Sequence, residues 1–158
     1  MELEELLPNS SFIFRRRPVS VPGDLRISWR LALLILVLAY SRGKKASLAK
    51  LHLVTEALRS EGGKNRLANI LSDPRTEPQW PFRVEPALAR AIDMAKGEGF
   101  ITPEGGPAYR LTPKGMGAAE AVKGRQDVLE QERAFLESHG PNITEGFVNG
   151  VIRTLSLP

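Results

Sequence analysis

Apolar residues in the first half of this chain recur at helical spacing. From Asp24 onward, Leu31, Leu34, Ile35 and Leu38 fall three and four residues apart, the stripe of an amphipathic helix. Leu33, Leu36 and Val37 occupy the other sides, so "LALLILVLAY" is apolar all round. Asp24 suits the N-cap and Gly43 lies just past the end, which predicts a helix over about 24–42. A helix apolar on every face has to be buried on every face. A small domain does that with difficulty, so the surplus face predicts an interface, a second copy of the chain being one partner for it; the alternative is that the later helices wrap it. A second helix starts near Ser47, carries Leu48, Leu51, Val54, Ala57 and Leu58 on one side, and ends at "SEGG". A third, over 64–72, turns Leu67, Ile70 and Leu71 inward, and the glycines at 62–63 are read as a turn before it. The loop "SDPRTEPQWP" follows, then "FRV" (82–84) as a short strand, then a fourth helix over 85–98 with Pro86 in its first turn and Leu88, Ile92 and Ala95 inward.

The pattern then changes. "GFITPEGGPAYRLTPKG" reads as a strand (100–103), a glycine turn, a second strand (108–112) and the start of a fifth helix. Thr112 is a good N-cap, and Pro113 fits the first helical turn, where its missing N–H costs nothing. Two more helices are predicted over 127–138 and 144–155. Residues 1–23 differ from the rest: Pro8, Pro18, Pro22 and Gly23 exclude a long helix, and Phe12, Ile13 and Phe14 need cover from this domain or from another chain. A hairpin docked after a helix is the shape of a winged helix. The expected fold class is therefore mainly α with a small β-hairpin: a winged helix-turn-helix domain over 24–123, preceded by an extended arm (1–23) and followed by a helical extension (124–158).

With 158 residues, 42% apolar and 25% charged, the composition is that of an ordinary globular protein. The absence of cysteine excludes disulfides, thiolate metal sites and cysteine nucleophiles, and fits a reducing cytoplasm. The acidic start Met-Glu-Leu-Glu-Glu is unlike a signal peptide. The uncharged run 31–40 is far shorter than the ~20 apolar residues of a membrane span. A cytoplasmic location with no membrane contact is expected. Catalytic signatures are missing: His52 and His139 are the two histidines, and no metal, nucleophile-elbow or phosphate-loop motif occurs. Glu130 and Glu137 typify the carboxylates, which sit at helix-surface spacing. No enzymatic activity, cofactor or metal is expected.

Charge narrows the choice of partner. The net +4 is unevenly spread: −3 over residues 1–14, +9 over 15–66 and −2 over the remainder. The basic block, including Arg15, Arg16, Arg17, Arg26, Arg30, Arg42, Lys44, Lys45 and Lys50, reads equally as a nucleic-acid footprint, a solvated face or a dock for an acidic partner. In a winged helix the helix before the hairpin usually enters the major groove. Here its outer face offers Ala87, Ala89, Arg90, Asp93, Met94 and Lys96, with few of the side chains that read base edges. The hairpin tip carries Glu104 and no base. Sequence-specific reading is disfavoured, and Arg42, Lys44, Lys45 and Lys50 remain as candidates for non-specific contact with double-stranded DNA.

"GFI…YRLTPKG" resembles the wing of PadR- and MarR-type regulators over about 20 residues. A longer stretch, "LLPNSSFIFRRRPVSVPGDLRISWRLALLILVLAYSRGKKASLAKLHLV" with the hairpin half that follows, is similar to the middle components of bacterial three-component ABC ATPase systems, among them the Lamassu-type antiphage systems. That resemblance implies a non-enzymatic subunit bridging a Rad50/SMC-like ATPase and a separate effector, often a nuclease. Phe12, Phe14, Arg15, Arg16, Arg17 and Trp29 are then the candidate partner-binding residues. The alternative is a dimeric winged-helix transcription regulator that uses 127–138 and 144–155 as its dimer arm.

Overall fold

A computed structural model of the chain describes residues 23–73 and 86–156, the side chains of 23–26 and 154–156 apart. Residues 1–22 of the expected arm and the expected strand at 82–84 lie outside these positions, whereas Gly23 opens the first helix, which places Asp24 inside it and not at the expected N-cap. The fold is mainly helical with one small antiparallel sheet. Helix α1 (Gly23–Ala39) runs through its middle. It packs chiefly against α4 (Pro86–Gly97) and α5 (Pro113–Lys123), with α2 (Leu48–Ala57), α6 (Glu130–His139) and the sheet closing the remaining sides.

Every residue from Leu33 to Ala39 is buried within this one chain. The expectation that α1 leaves a surplus apolar face for a second copy is therefore corrected. The reason is that α4 and α5 take most of its surface and α2, the sheet and α6 the rest, while α7 (Glu145–Ser156) packs on α2 and the C-terminal segment adds Leu129, Phe135, Leu136, Ile143, Val148 and Val151 to the same core. More helices surround α1 than a bare three-helix domain supplies.

Helix α1 stops at Ala39, short of the expected boundary. The Lys44 ammonium donates to the Ala39 carbonyl at 2.6 Å, and the Ser41 hydroxyl donates to the Val37 carbonyl at 2.7 Å. These groups satisfy carbonyls that the helix end leaves open, and the ammonium also meets the negative end of the helix dipole. A 3-10 turn over Arg42–Lys44, with Gly43 at φ 71°, then redirects the chain. It delivers Lys45–Ser47 to the sheet as β1, a strand too short to show in any alternation of hydropathy.

Strands β2 (Ile101–Pro103) and β3 (Ala108–Leu111) form the expected hairpin, and β1 adds to its far side, giving the order β1-β3-β2. Ala46 faces Tyr109 and Thr102 faces Arg110 across the ladders. At the hairpin turn Gly105 and Gly106 take positive φ, as a tight turn requires. Thr112 caps α5 by accepting from the Gly115 amide at 3.1 Å, with Pro113 behind it, as the sequence pattern predicts. Helix α3 (Glu61–Ser72) begins one turn earlier than expected, because Ser60 accepts from the Gly63 amide at 3.0 Å and caps it. Gly62 and Gly63 are thus helical rather than in a turn. A Cβ on Gly63 would stand 2.4 Å from the Ala57 carbonyl oxygen, so this glycine allows α2 and α3 to meet closely. Helix α6 begins at Glu130, later than expected, after Leu129 in the left-handed region at φ 51°.

Candidate functional site

The candidate residues fall into three groups. Phe12, Phe14, Arg15, Arg16 and Arg17 lie outside the described residues. Trp29 is on α1 with 36% of its surface exposed, beside a shallow crevice formed with Leu33, Thr55 and Leu88. The basic residues that follow α1 have separate fates, and two of the four fit DNA contact poorly. Lys44 has its ammonium on the Ala39 carbonyl as a helix cap. Lys50 is only 4% exposed, because it lies in the first turn of α2 with its stem packed beneath the sheet edge and the α7 start. A lysine so placed is poorly presented to a phosphate backbone, which counts against its expected role as a DNA contact. Arg42 and Lys45 are exposed.

The position expected to read DNA is sparsely equipped. On α4 the exposed face carries Arg90, Asp93, Met94 and Lys96. Lys96 stands 3.7 Å from the Asp93 carboxylate and 6.0 Å above the Tyr109 ring. In the hairpin Arg110 is held on Glu104 by two hydrogen bonds, its Nε donating at 2.9 Å and its Nη2 at 2.6 Å. Those bonds hold the Glu104 carboxyl below the usual carboxylate range, with Lys45 adding to the effect. The pair closes across the turn, so the single arginine of the two strands is already engaged with an acid.

Another feature escaped the sequence reading. A cleft of about 900 Å³ opens between the β1 edge, the hairpin turn and the corner that joins α6 to α7. Arg42, Lys45 and Lys50 line it from one side, and Glu104, Thr144 and Glu145 from the others. Its two walls are tied together by Glu145. Ser47 donates to Glu145 twice, from its backbone N–H to Oε1 at 2.9 Å and from its hydroxyl to Oε2 at 2.7 Å. Ser47 is also the N-cap of α2, accepting from the Lys50 amide at 3.1 Å. The Glu145 carboxylate therefore sits at the positive end of the α2 dipole, a favoured place for an anion. Ser47 and Glu145 are 98 residues apart, and no local pattern announces such a pair.

Among the described residues no cluster of histidines and carboxylates has the arrangement of a metal site, and no helix is long and apolar enough to cross a membrane. Comparison with protein-family models, with curated proteins and with solved structures returns no match for this chain.

Proposed function

We propose that this chain is a non-enzymatic winged-helix subunit that holds other proteins together in a bacterial antiphage assembly, between a Rad50/SMC-like ATPase and an effector such as a nuclease. The observation that carries the reading is a layout whose hairpin arginine and α4 lysine already have acidic neighbours. The sheet order β1-β3-β2, with α4 ahead of the hairpin, supports the winged-helix reading. Yet Arg110 of the hairpin is paired with Glu104, and Lys96 of α4 is paired with Asp93. A face of that kind has little to offer base edges, which ask for arginine, lysine, asparagine or glutamine aimed into the groove. The Phe-rich basic arm and the exposed Trp29 supply the aromatic and arginine chemistry that protein interfaces favour.

The reading predicts weak, sequence-blind DNA binding. In a titration of labelled duplexes at physiological salt, the chain should bind no more tightly than about the micromolar range of non-specific contacts. Arg90→Ala with Lys96→Ala should leave that affinity unchanged. Nanomolar binding to a preferred duplex, lost in the double variant, would instead establish a dimeric transcription regulator reading DNA through α4.

A further inference from the structure

We propose that the cleft between the β1 edge, the hairpin turn and the α6–α7 corner is a binding site for a single carboxylate carried on an apolar body, with the Lys50 ammonium as its recognition group. The geometry points there for three reasons. First, Lys50 is almost wholly buried, and among the described residues its ammonium has neither a hydrogen-bond nor an ion-pair partner. No fully buried side-chain nitrogen among these residues lacks a partner, so this ammonium keeps a sliver of access to solvent. The cleft is the opening that Lys50 lines. A largely buried cation with no partner in contact is costly unless something pairs with it. Burial pushes the Lys50 amine below the ordinary lysine range, and Glu145 draws it only part of the way back.

Second, the charge around the cleft selects the ligand. Arg42, Lys45 and Lys50 face it, and so do Glu104 and Glu145. Arg110 pairs with Glu104, so the surroundings carry a net positive charge that suits an anion. The apolar part of the lining favours a carboxylate on an apolar body over a strongly hydrated phosphate dianion. Third, the cleft falls within the volume range of small-ligand sites, roughly 300–1,000 Å³, and Ile143 with neighbouring alanines and prolines gives it an apolar wall. This site is independent of the partner-holding role proposed above.

The test is a carbon-NMR titration of the Lys50 Cε signal in the full chain, with Lys50→Met as the assignment variant and as the binding control. Sodium butyrate is the free-acid probe, N-acetyl-glutamate α-amide the peptide-borne probe, and butyramide and inorganic phosphate the comparisons. The expected result is a saturable shift with either carboxylate in the millimolar range. The Lys50 titration should move to higher pH when the site is filled, because a nearby anion favours the charged amine. Binding should fall about tenfold or more in Lys50→Met and with phosphate, and butyramide should produce no shift. If the peptide-borne probe binds several-fold tighter than butyrate, the natural source is an acidic segment of a protein. The reverse order marks a small metabolite acid. Absence of a saturable shift in the wild-type chain, or phosphate binding as tightly as butyrate, overturns the proposal. The wild-type titration decides this even if the variant folds poorly.

Discussion

Replacing Gly115 by alanine is expected to destabilise the fold by about 3 kcal/mol, at the upper end of the usual cost of overpacking. In a domain of this size that corresponds to a fall in melting temperature of about 6–12 °C. Gly115 lies in the first turn of α5, where the hairpin and the helix meet. A Cβ there would stand 2.1 Å from the Phe100 carbonyl oxygen and 2.8 Å from a Leu111 methyl. Neither neighbour can withdraw easily. The Phe100 carbonyl accepts from the Thr112 amide at 3.0 Å, and Leu111 is buried at the end of β3. The helix must therefore shift away from the sheet, and the Thr112 cap that accepts from the Gly115 amide shifts with it. Gly117, one half-turn on, is the control. It has nothing within 4 Å of its Cβ position, so alanine there should raise stability by about 0.5–1 kcal/mol through helix propensity alone. Thermal unfolding of the two variants should move in opposite directions. Equal melting of Gly115→Ala and wild type would show that α5 does not sit against the hairpin as described.

The second large effect is expected in the arm. If the proposed role holds, Phe12→Ala with Phe14→Ala should weaken binding to the proposed coiled-coil ATPase by about a thousandfold, since two aromatic anchors at an interface are each worth about 2 kcal/mol or more. The isolated chain should melt as wild type does. This pairing of measurements separates the alternatives left open by the amino-acid sequence. Aromatics packed on their own domain would lower the melting temperature, whereas aromatics reserved for a partner would not. Unchanged affinity in the double variant would remove the arm as the dock.

Where local chemistry governs, the amino-acid sequence was a good guide. The Thr112–Pro113 helix start, the glycine turn at 105–106 and the inward stripe of α4 follow from capping, backbone freedom and periodicity, each read within a few residues. What stayed hidden depends on distant contacts. Gly63 looked like a helix breaker because its role is to let the Ala57 carbonyl approach, which belongs to packing and not to pattern. The β1 strand is three residues long and owes its existence to pairing with β3. The apolar surplus of α1 suggested a second copy because the wrapping of α4, α5 and the sheet around it cannot be read from α1 itself. Lys50 is the clearest case. In the sequence it belongs to a basic block, while in the fold it is a nearly buried residue lining a cleft whose walls are joined by the long-range pairing of Ser47 with Glu145.

The central claim is that this chain acts by holding proteins and not by reading DNA. Affinity purification of the full chain from its native host, at physiological salt with nuclease present, followed by mass spectrometry with quantification, tests it most directly. The account predicts recovery of a large ATPase of the Rad50/SMC type in stoichiometric amount, resistant to nuclease. Recovery of the chain alone, together with tight and sequence-selective binding to duplex DNA, would contradict it.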